Sequence, residues 1–147
     1  MIDLKQYKTA DLLPHGAPMV LVDEMIEWEQ GRAATSVQIS ENSLFYTENG
    51  VPAHVGLEYM AQTCGTYSGL NFIVNNLPIR MGYLLGSRNY KSEVEYFKAG
   101  DKLIVSISEV LRQGPMGVFN CNISLQDKEV ASAQLTVYQS DATASKL

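Results

Sequence analysis

The longest apolar pattern in the chain runs from Asn49 to Pro78, NGVPAHVGLEYMAQTCGTYSGLNFIVNNLP. From Asn49 through Ile79 it holds a single charged residue, Glu58, with His54 one helical turn before it. Apolar and small side chains fall on nearly every side of a 3.6-residue period, which predicts a helix of the core, not of the surface. Pro52 suits a first helical turn, where its missing N–H costs nothing, and Pro78 forbids continuation. The pattern therefore predicts one long buried helix over about residues 53–75. At roughly 1.5 Å per residue it spans some 33 Å, the width of a small domain. Gly56, Gly65 and Gly69 each weaken such a helix by about 1 kcal/mol relative to alanine. Their presence predicts that other elements approach its backbone closely.

The rest of the chain alternates with period two, the signature of half-buried strands. Met19–Val22 leads into Asp23–Trp28. Arg32–Ile39 sets Thr35, Val37 and Ile39 on one face and Ser36 and Gln38 on the other. After Pro78 come Met81–Leu85, a Gly86-Ser-Arg-Asn break, and Tyr90–Phe97. Lys102–Ser108 follows, with Leu103, Val105 and Ile107 inward, then Val118–Leu125 and Glu129–Tyr138 about a turn at Gln126-Asp-Lys128. Residues 3–13 read as a short helix or arm, Leu12–Pro18 as a turn, and Asp141–Leu147 as a frayed tail. One early helix followed by antiparallel strands is α+β. The absence of a linker or repeat predicts a single domain over residues 1–147. The simplest way to bury the helix is a curved sheet wrapped about it, and pairing of exposed sheet edges into a dimer removes an edge liability.

Composition narrows the class. At 147 residues the chain can build one sizeable core. Cys64 and Cys121 are far apart and lack metal-ligand spacing, which argues against a disulfide framework or zinc site and suits a reducing cytoplasm. The N-terminus has no signal-peptide pattern. The central stretch carries His54, Glu58 and Gln62 and is too polar for insertion into a membrane. Net charge is −5, which argues against nonspecific nucleic-acid binding. The charge is uneven: −6 over residues 1–79 and +2 over residues 80–112, where Arg80, Arg88, Lys91 and Lys98 make a modest basic segment. No phosphate-binding glycine loop, dinucleotide fingerprint or nucleophile elbow is present.

The candidate chemistry is on the helix. A lone carboxylate there is costly to bury unless something pairs or uses it. His54 and Glu58, spaced i, i+4, share a face and lie within side-chain reach. The first N–H groups of the helix offer an anion or oxyanion site, with Val55 or Gly56 as candidate amides.

Five stretches carry a family resemblance. LLPHGAPMVLVDEMIEWEQGRAA resembles the opening of bacterial 3-hydroxyacyl-[acyl-carrier-protein] dehydratases of the FabZ/FabA type. VPAHVGLEYMAQ resembles their PGVLIIEALAQ helix start, YLLGSRNYK their YFLGIDNARF, FKAGDKLIV their VxPGDQL turn and EVASAQLTVY their closing VAEAEL strand. The overall look is closest to the ApeP-like subgroup from aryl polyene clusters. The resemblance implies the hotdog fold, a curved antiparallel sheet around one long helix, with active sites at a dimer interface. It implies dehydration of 3-hydroxyacyl to 2-enoyl groups carried on the phosphopantetheine arm of acyl carrier protein, with no cofactor or metal, in fatty acid or polyene lipid biosynthesis. It places the catalytic carboxylate at Glu58 and a supporting, substrate-binding glutamine at Gln62. The family's loop histidine stands fourteen residues before the carboxylate, where this chain has Leu44. His54 is the candidate replacement. His15 matches a histidine of the opening pattern that is not catalytic, and is expected to be structural. Tyr59, Met60 and Tyr67 are expected in the core or the acyl tunnel. Three readings stay open: a dehydratase, a hotdog thioesterase, and a non-catalytic subunit in a homodimer or heterodimer with a complete dehydratase.

Overall fold

Strand alternation and a helix too apolar for the surface leave one economical arrangement: the helix laid on the apolar face of a sheet. The computed structural model describes residues 2–13 and 19–143, so His15 and the Pro14–Pro18 part of the expected turn lie outside the described residues. The chain opens with a single 3₁₀ turn, Leu4–Gln6, and a short helix α1 (Thr9–Leu12). There follow β1 (Glu24–Glu29), β2 (Arg32–Gln38), a short β3 (Val51–Pro52) and the long helix α2 (Gly56–Val74), entered through a 3₁₀ turn at Ala53–Val55. Then come β4 (Arg80–Ser92), a short β5 (Tyr96–Phe97), β6 (Lys102–Gln113), β7 (Met116–Leu125) and β8 (Lys128–Thr143).

Among the described residues six strands form one antiparallel sheet in the order β1-β2-β6-β7-β8-β4. The inward residues expected on β6, Leu103, Val105 and Ile107, are buried, and Phe119, Ile123 and Leu135 continue that face. Against it α2 packs Tyr59, Met60, Cys64, Tyr67 and Leu70. Beyond Val74 the helix closes with a left-handed Asn76 (φ 57°), the Leu77 N–H bonding the Phe72 carbonyl at 2.8 Å and the Asn76 N–H bonding the Ile73 carbonyl at 3.0 Å. This Schellman closure satisfies carbonyls the helix would otherwise leave bare.

The glycines of α2 do what close approach requires. A Cβ on Gly69 would lie 2.0 Å from the Leu12 carbonyl oxygen, and one on Gly65 would lie 2.6 Å from Leu13 Cδ2. The end of α1 is therefore seated on the backbone of α2. The helix is not wrapped all round, as expected from its composition. The sheet covers one side and α1 a second. A third side, the 3-4-3-4 stripe Glu58, Ala61, Gly65, Ser68 and Phe72, is only half-buried.

Three expected boundaries also differ. Gly86–Asn89 is not a break: β4 is continuous, absorbing the irregularity as register shifts at Leu84/Gly86 and Arg88/Lys91, with Asn89 left-handed (φ 57°). Such bulges bend a strand without ending it. Tyr90–Phe97 is not one strand, because the Ser92 hydroxyl bonds the Val94 backbone twice and turns the chain, leaving Tyr96–Phe97 to pair with Val51–Pro52. The start of the expected tail is strand, since β8 runs on to Thr143 opposite Arg80.

The two edges of the sheet differ in kind. β1 carries Glu24, Glu27 and Glu29, all exposed, a charged edge of the sort that resists further pairing. β4 is long, has no acidic residue, and leaves Tyr83, Leu84 and Leu85 45–55% exposed.

The α1–α2 contact makes a clear demand on sequence. Gly69→Ala should cost about 3 kcal/mol or more, since the obstructing atom is backbone and cannot swing away. Gly86→Ala, with nothing near its added Cβ, should stay within about 0.5 kcal/mol of the parent. Urea unfolding of the two variants checks both.

Candidate functional site

The half-buried stripe of α2 is one wall of a cavity of about 280 Å³. The opposite wall comes from β4 and β8, where Tyr83 and Tyr138 stand directly across from one another, and Leu13 and Arg112 close the sides. Its polarity is uneven. Small residues, Ala61 and Gly65, hold the middle open, while Glu58 and Gln62 mark the end nearer the helix start.

Glu58 is half-buried and lines this cavity. Gln62, one turn on and 1% exposed, donates from Nε2 to Glu58 Oε1 at 3.3 Å and to the Met19 carbonyl at 2.6 Å. Its Oε1 accepts the Leu21 N–H at 2.7 Å. The buried amide is thus fully partnered, as a buried polar group must be. It ties the carboxylate to the backbone of residues 19–21 and holds one carboxylate oxygen in place. In this geometry Gln62 is first a support for Glu58.

His54 is in the 3₁₀ turn, exposed, and is not part of the cavity wall. No hydrogen bond or ion pair between His54 and Glu58 occurs among the described residues. Within a single chain the two are therefore in separate surroundings, Glu58 facing the cavity and His54 facing solvent.

The amides expected to serve as an oxyanion site lie in the same turn. The Gly56 N–H closes back on the Ala53 and His54 carbonyls, so it is used within the turn. Val55 buries its side chain in the core. The turn is pinned from outside as well: the Tyr90 hydroxyl donates to the Ala53 carbonyl, and the Ala53 N–H donates to the Glu95 carbonyl at 2.9 Å. A Cβ on Gly56 would lie 2.6 Å from that Tyr90 hydroxyl oxygen, which is why glycine stands there. Burial pushes the Tyr90 phenol up from its ordinary pKa.

Two further groups on the helix are structural, not reagents. Cys64 lines the cavity, but burial, and then its hydrogen bond with Cys121, hold its thiol well above the ordinary range, the opposite of a nucleophilic cysteine. Tyr59 is in the core with its ring 6.1 Å from that of Phe97, as expected, and Met60 and Tyr67 are core residues too. Leu44 and Phe45, at the position of the family's histidine loop, are exposed, and Phe45 adopts a left-handed backbone (φ 70°). Sequence reasoning missed Ala61, Gly65 and Ser68 as cavity wall. Their 3-4-3 spacing from Glu58, with no bulky side chain among them, was the available signal. For Arg112, which also lines the cavity, the chain offers no comparable signal.

Comparison with known proteins adds the following. The model of the ApeP-like family, described as ApeP dehydratase, matches residues 7–147. The 3-hydroxyacyl-[acyl-carrier-protein] dehydratase FabZ of Oceanobacillus iheyensis is 32% identical over 92% of this chain and 97% of its own length. That of Psychrobacter arcticus is 29% identical over 85% and 89%. Among solved structures, the dehydratase heterocomplex ApeI:P from Xenorhabdus doucetiae matches at 26% identity with a TM-score of 0.87, covering 94% of each chain. A hypothetical thioesterase of Streptococcus pneumoniae, 18% identical with a TM-score of 0.62 over 83% of this chain and 88% of that one, shares the fold. The hotdog architecture is thereby shown. Among the described residues no helix is long and apolar enough to cross a membrane.

The Tyr59 phenol gives a test of the burial of the core behind the site. Burial, and secondarily the charge of Asp23, push its pKa from 10.0 to about 12. A raised folded-state value means this contribution is intact below pH 10 and is lost as pH rises toward 12. Two pH units correspond to about 2.7 kcal/mol. Stability should therefore fall across that window, and Tyr59→Phe should flatten the fall, as read by denaturant unfolding at stepped pH.

Proposed function

The chain belongs to the ApeP-like dehydratase family, and on that premise we propose that it removes water from 3-hydroxyacyl-[acyl-carrier-protein] to give the 2-enoyl thioester. The observation that carries this reading is Glu58, a carboxylate held by a buried glutamine at one end of a cavity shaped along a helix. The reaction needs a base to take a proton from C2, an acid to protonate the departing 3-hydroxyl, and N–H donors for the thioester oxygen. We assign the cavity-side proton transfer to Glu58, which lines the cavity while Gln62 holds its Oε1. We assign the second transfer to His54. Because His54 faces solvent in the single chain, it serves a site completed at a subunit interface. The thioester oxygen is given to the amides of the helix start, Val55 before Gly56, since the Gly56 N–H is taken by the turn. Gln62 supports the carboxylate and the adjoining substrate wall. The substrate arrives on the phosphopantetheine arm of acyl carrier protein, and the chemistry needs no cofactor. The basic residues Arg88, Lys91 and Lys98 suit an acidic carrier, and a cytoplasmic setting suits the two free, buried cysteines.

The subunit interface falls on the β4 edge, where Tyr83, Leu84 and Leu85 are exposed and the first two also line the cavity. An apolar strand edge of this length invites a second strand. The partner is a hotdog subunit, either a second copy or, as in the ApeI:P heterocomplex, a different dehydratase chain. That resemblance favours a role in aryl polyene synthesis. The exposed position of His54 supports one second reading, in which this chain supplies Glu58 and cavity wall to a mixed dimer and the partner supplies the remaining catalytic group.

With a 3-hydroxyacyl carrier protein as substrate, Glu58→Gln should lower turnover by about a thousandfold and His54→Ala by about a hundredfold, in the range of lost acid–base catalysis. Far-ultraviolet circular dichroism should be unchanged. A double variant with full activity would sink the assignment. Activity seen only on mixing with a second hotdog chain, and insensitive to His54→Ala, would move the assignment to the mixed dimer. Leu85→Glu, at a position open to solvent in the single chain, should leave the fold intact and halve the mass in light scattering.

A further inference from the structure

The cavity has a second polar end. The α2 helix runs antiparallel to β4, so the two ends can be told apart by what touches them. At the helix start, Gly56 lies against Tyr90 and Ile123. Further along, Tyr67 packs edge-on to Phe119, with ring centroids 5.8 Å apart. Near the helix end, the Arg80 guanidinium spreads over the Phe72 ring at 5.6 Å. On the sheet, Gly117 is two residues beyond Phe119 in the same direction, and Arg112 is its direct cross-strand partner. Arg112 therefore meets the cavity at the end away from Glu58. Along α2 the lining runs from Glu58 to Gly69, about 16 Å by helical rise.

Arg112 is exposed at the rim of the cavity in the single chain, and one glutamate holds its guanidinium there. Its Nε and Nη2 both donate to Glu109 Oε2, at 3.2 and 2.7 Å. Glu109 is not part of the cavity wall, so it grips the guanidinium from behind. Gly117 makes room: a Cβ there would lie 3.2 Å from both Arg112 Cζ and Nη2. Both bonds leave Nη1 without a partner among the described residues. Ser68 and Gln139 line the same end and add a hydroxyl and an amide. A fixed guanidinium with an unspent N–H edge is a ready partner for a carboxylate or carbonyl.

We propose that Arg112, clamped by Glu109 over Gly117, is a specificity-determining residue that selects acyl groups whose far end carries a hydrogen-bond acceptor over those ending in methyl. This rests on the dehydratase reading, with the thioester at the Glu58 end.

The test uses the full chain, with its partner subunit where turnover requires one. Two 3-hydroxyacyl pantetheine thioesters of equal length serve as probes, one ending in a carboxylate and one in a methyl group. The wild type should favour the carboxylate-ended probe at least tenfold in kcat/KM. Arg112→Met should slow that probe about tenfold to a hundredfold, the range of a charge-assisted hydrogen bond, and change the methyl-ended one far less. Glu109→Gln, which keeps the arginine but loosens its grip, should remove part of the preference. Equal rates for both probes in the wild type, or equal slowing of both by Arg112→Met, would overturn the proposal. If neither probe turns over, calorimetric binding of the matching saturated acyl pantetheines decides it. A carboxylate preference lost in Arg112→Met would uphold the site while the dehydratase reading fails, and no preference would end the proposal.

Discussion

The Leu12 carbonyl is packed so tightly against α2 that position 69 has no room for a side-chain carbon. This contact fixes how near the N-terminal segment comes to the long helix, and much else follows. With α1 seated on one side and the sheet on another, the helix has one side left, and that side carries the small residues Ala61, Gly65 and Ser68. A helix face without bulk, set opposite two tyrosines, leaves unfilled volume. The glycines that weaken the helix locally are thus what allow it to be both packed and hollow-sided. The cost of about 1 kcal/mol each in propensity is offset by burial of Leu12, Leu13 and the core beneath them.

Gln62 links this architecture to chemistry. Its amide spans the helix and residues 19–21, which continue the chain toward β1. A shift of residues 19–21 would therefore reach Gln62 through two short hydrogen bonds, and the Glu58 carboxylate through a third, longer one. His54 has no such tether among the described residues: the turn that bears it is fixed by Tyr90 and Glu95 through Ala53, while the residue itself is exposed. One half of the proposed acid–base pair is built into the chain, and the other awaits a neighbouring surface.

Much of this was legible in the residues. The long helix, its stop at Asn75–Pro78 and the inward face of β6 follow from local rules, and the structure agrees with each. What was not legible depended on distant pairing. Gly86 and Asn89 look like loop residues, and only the β8 partner turns that stretch into a bulged strand. The polar start of the supposed tail is strand for the same reason. The hollow side of α2 was hidden because composition says how apolar a helix is, not how many neighbours it has. The solvent exposure of His54 depends on which elements pack about the start of α2, which no spacing rule encodes.

The unequal edges of the sheet have a consequence best put in the language of polymer chemistry. A unit with two reactive ends grows without limit, and a unit with one stops at the pair. With Glu24, Glu27 and Glu29 along β1 and an apolar β4 at the other side, the chain is monofunctional. Hydrogen-bonded extension of the sheet through β4 would therefore stop at the pair, and the edge proposed to complete the cavity would not propagate a fibre.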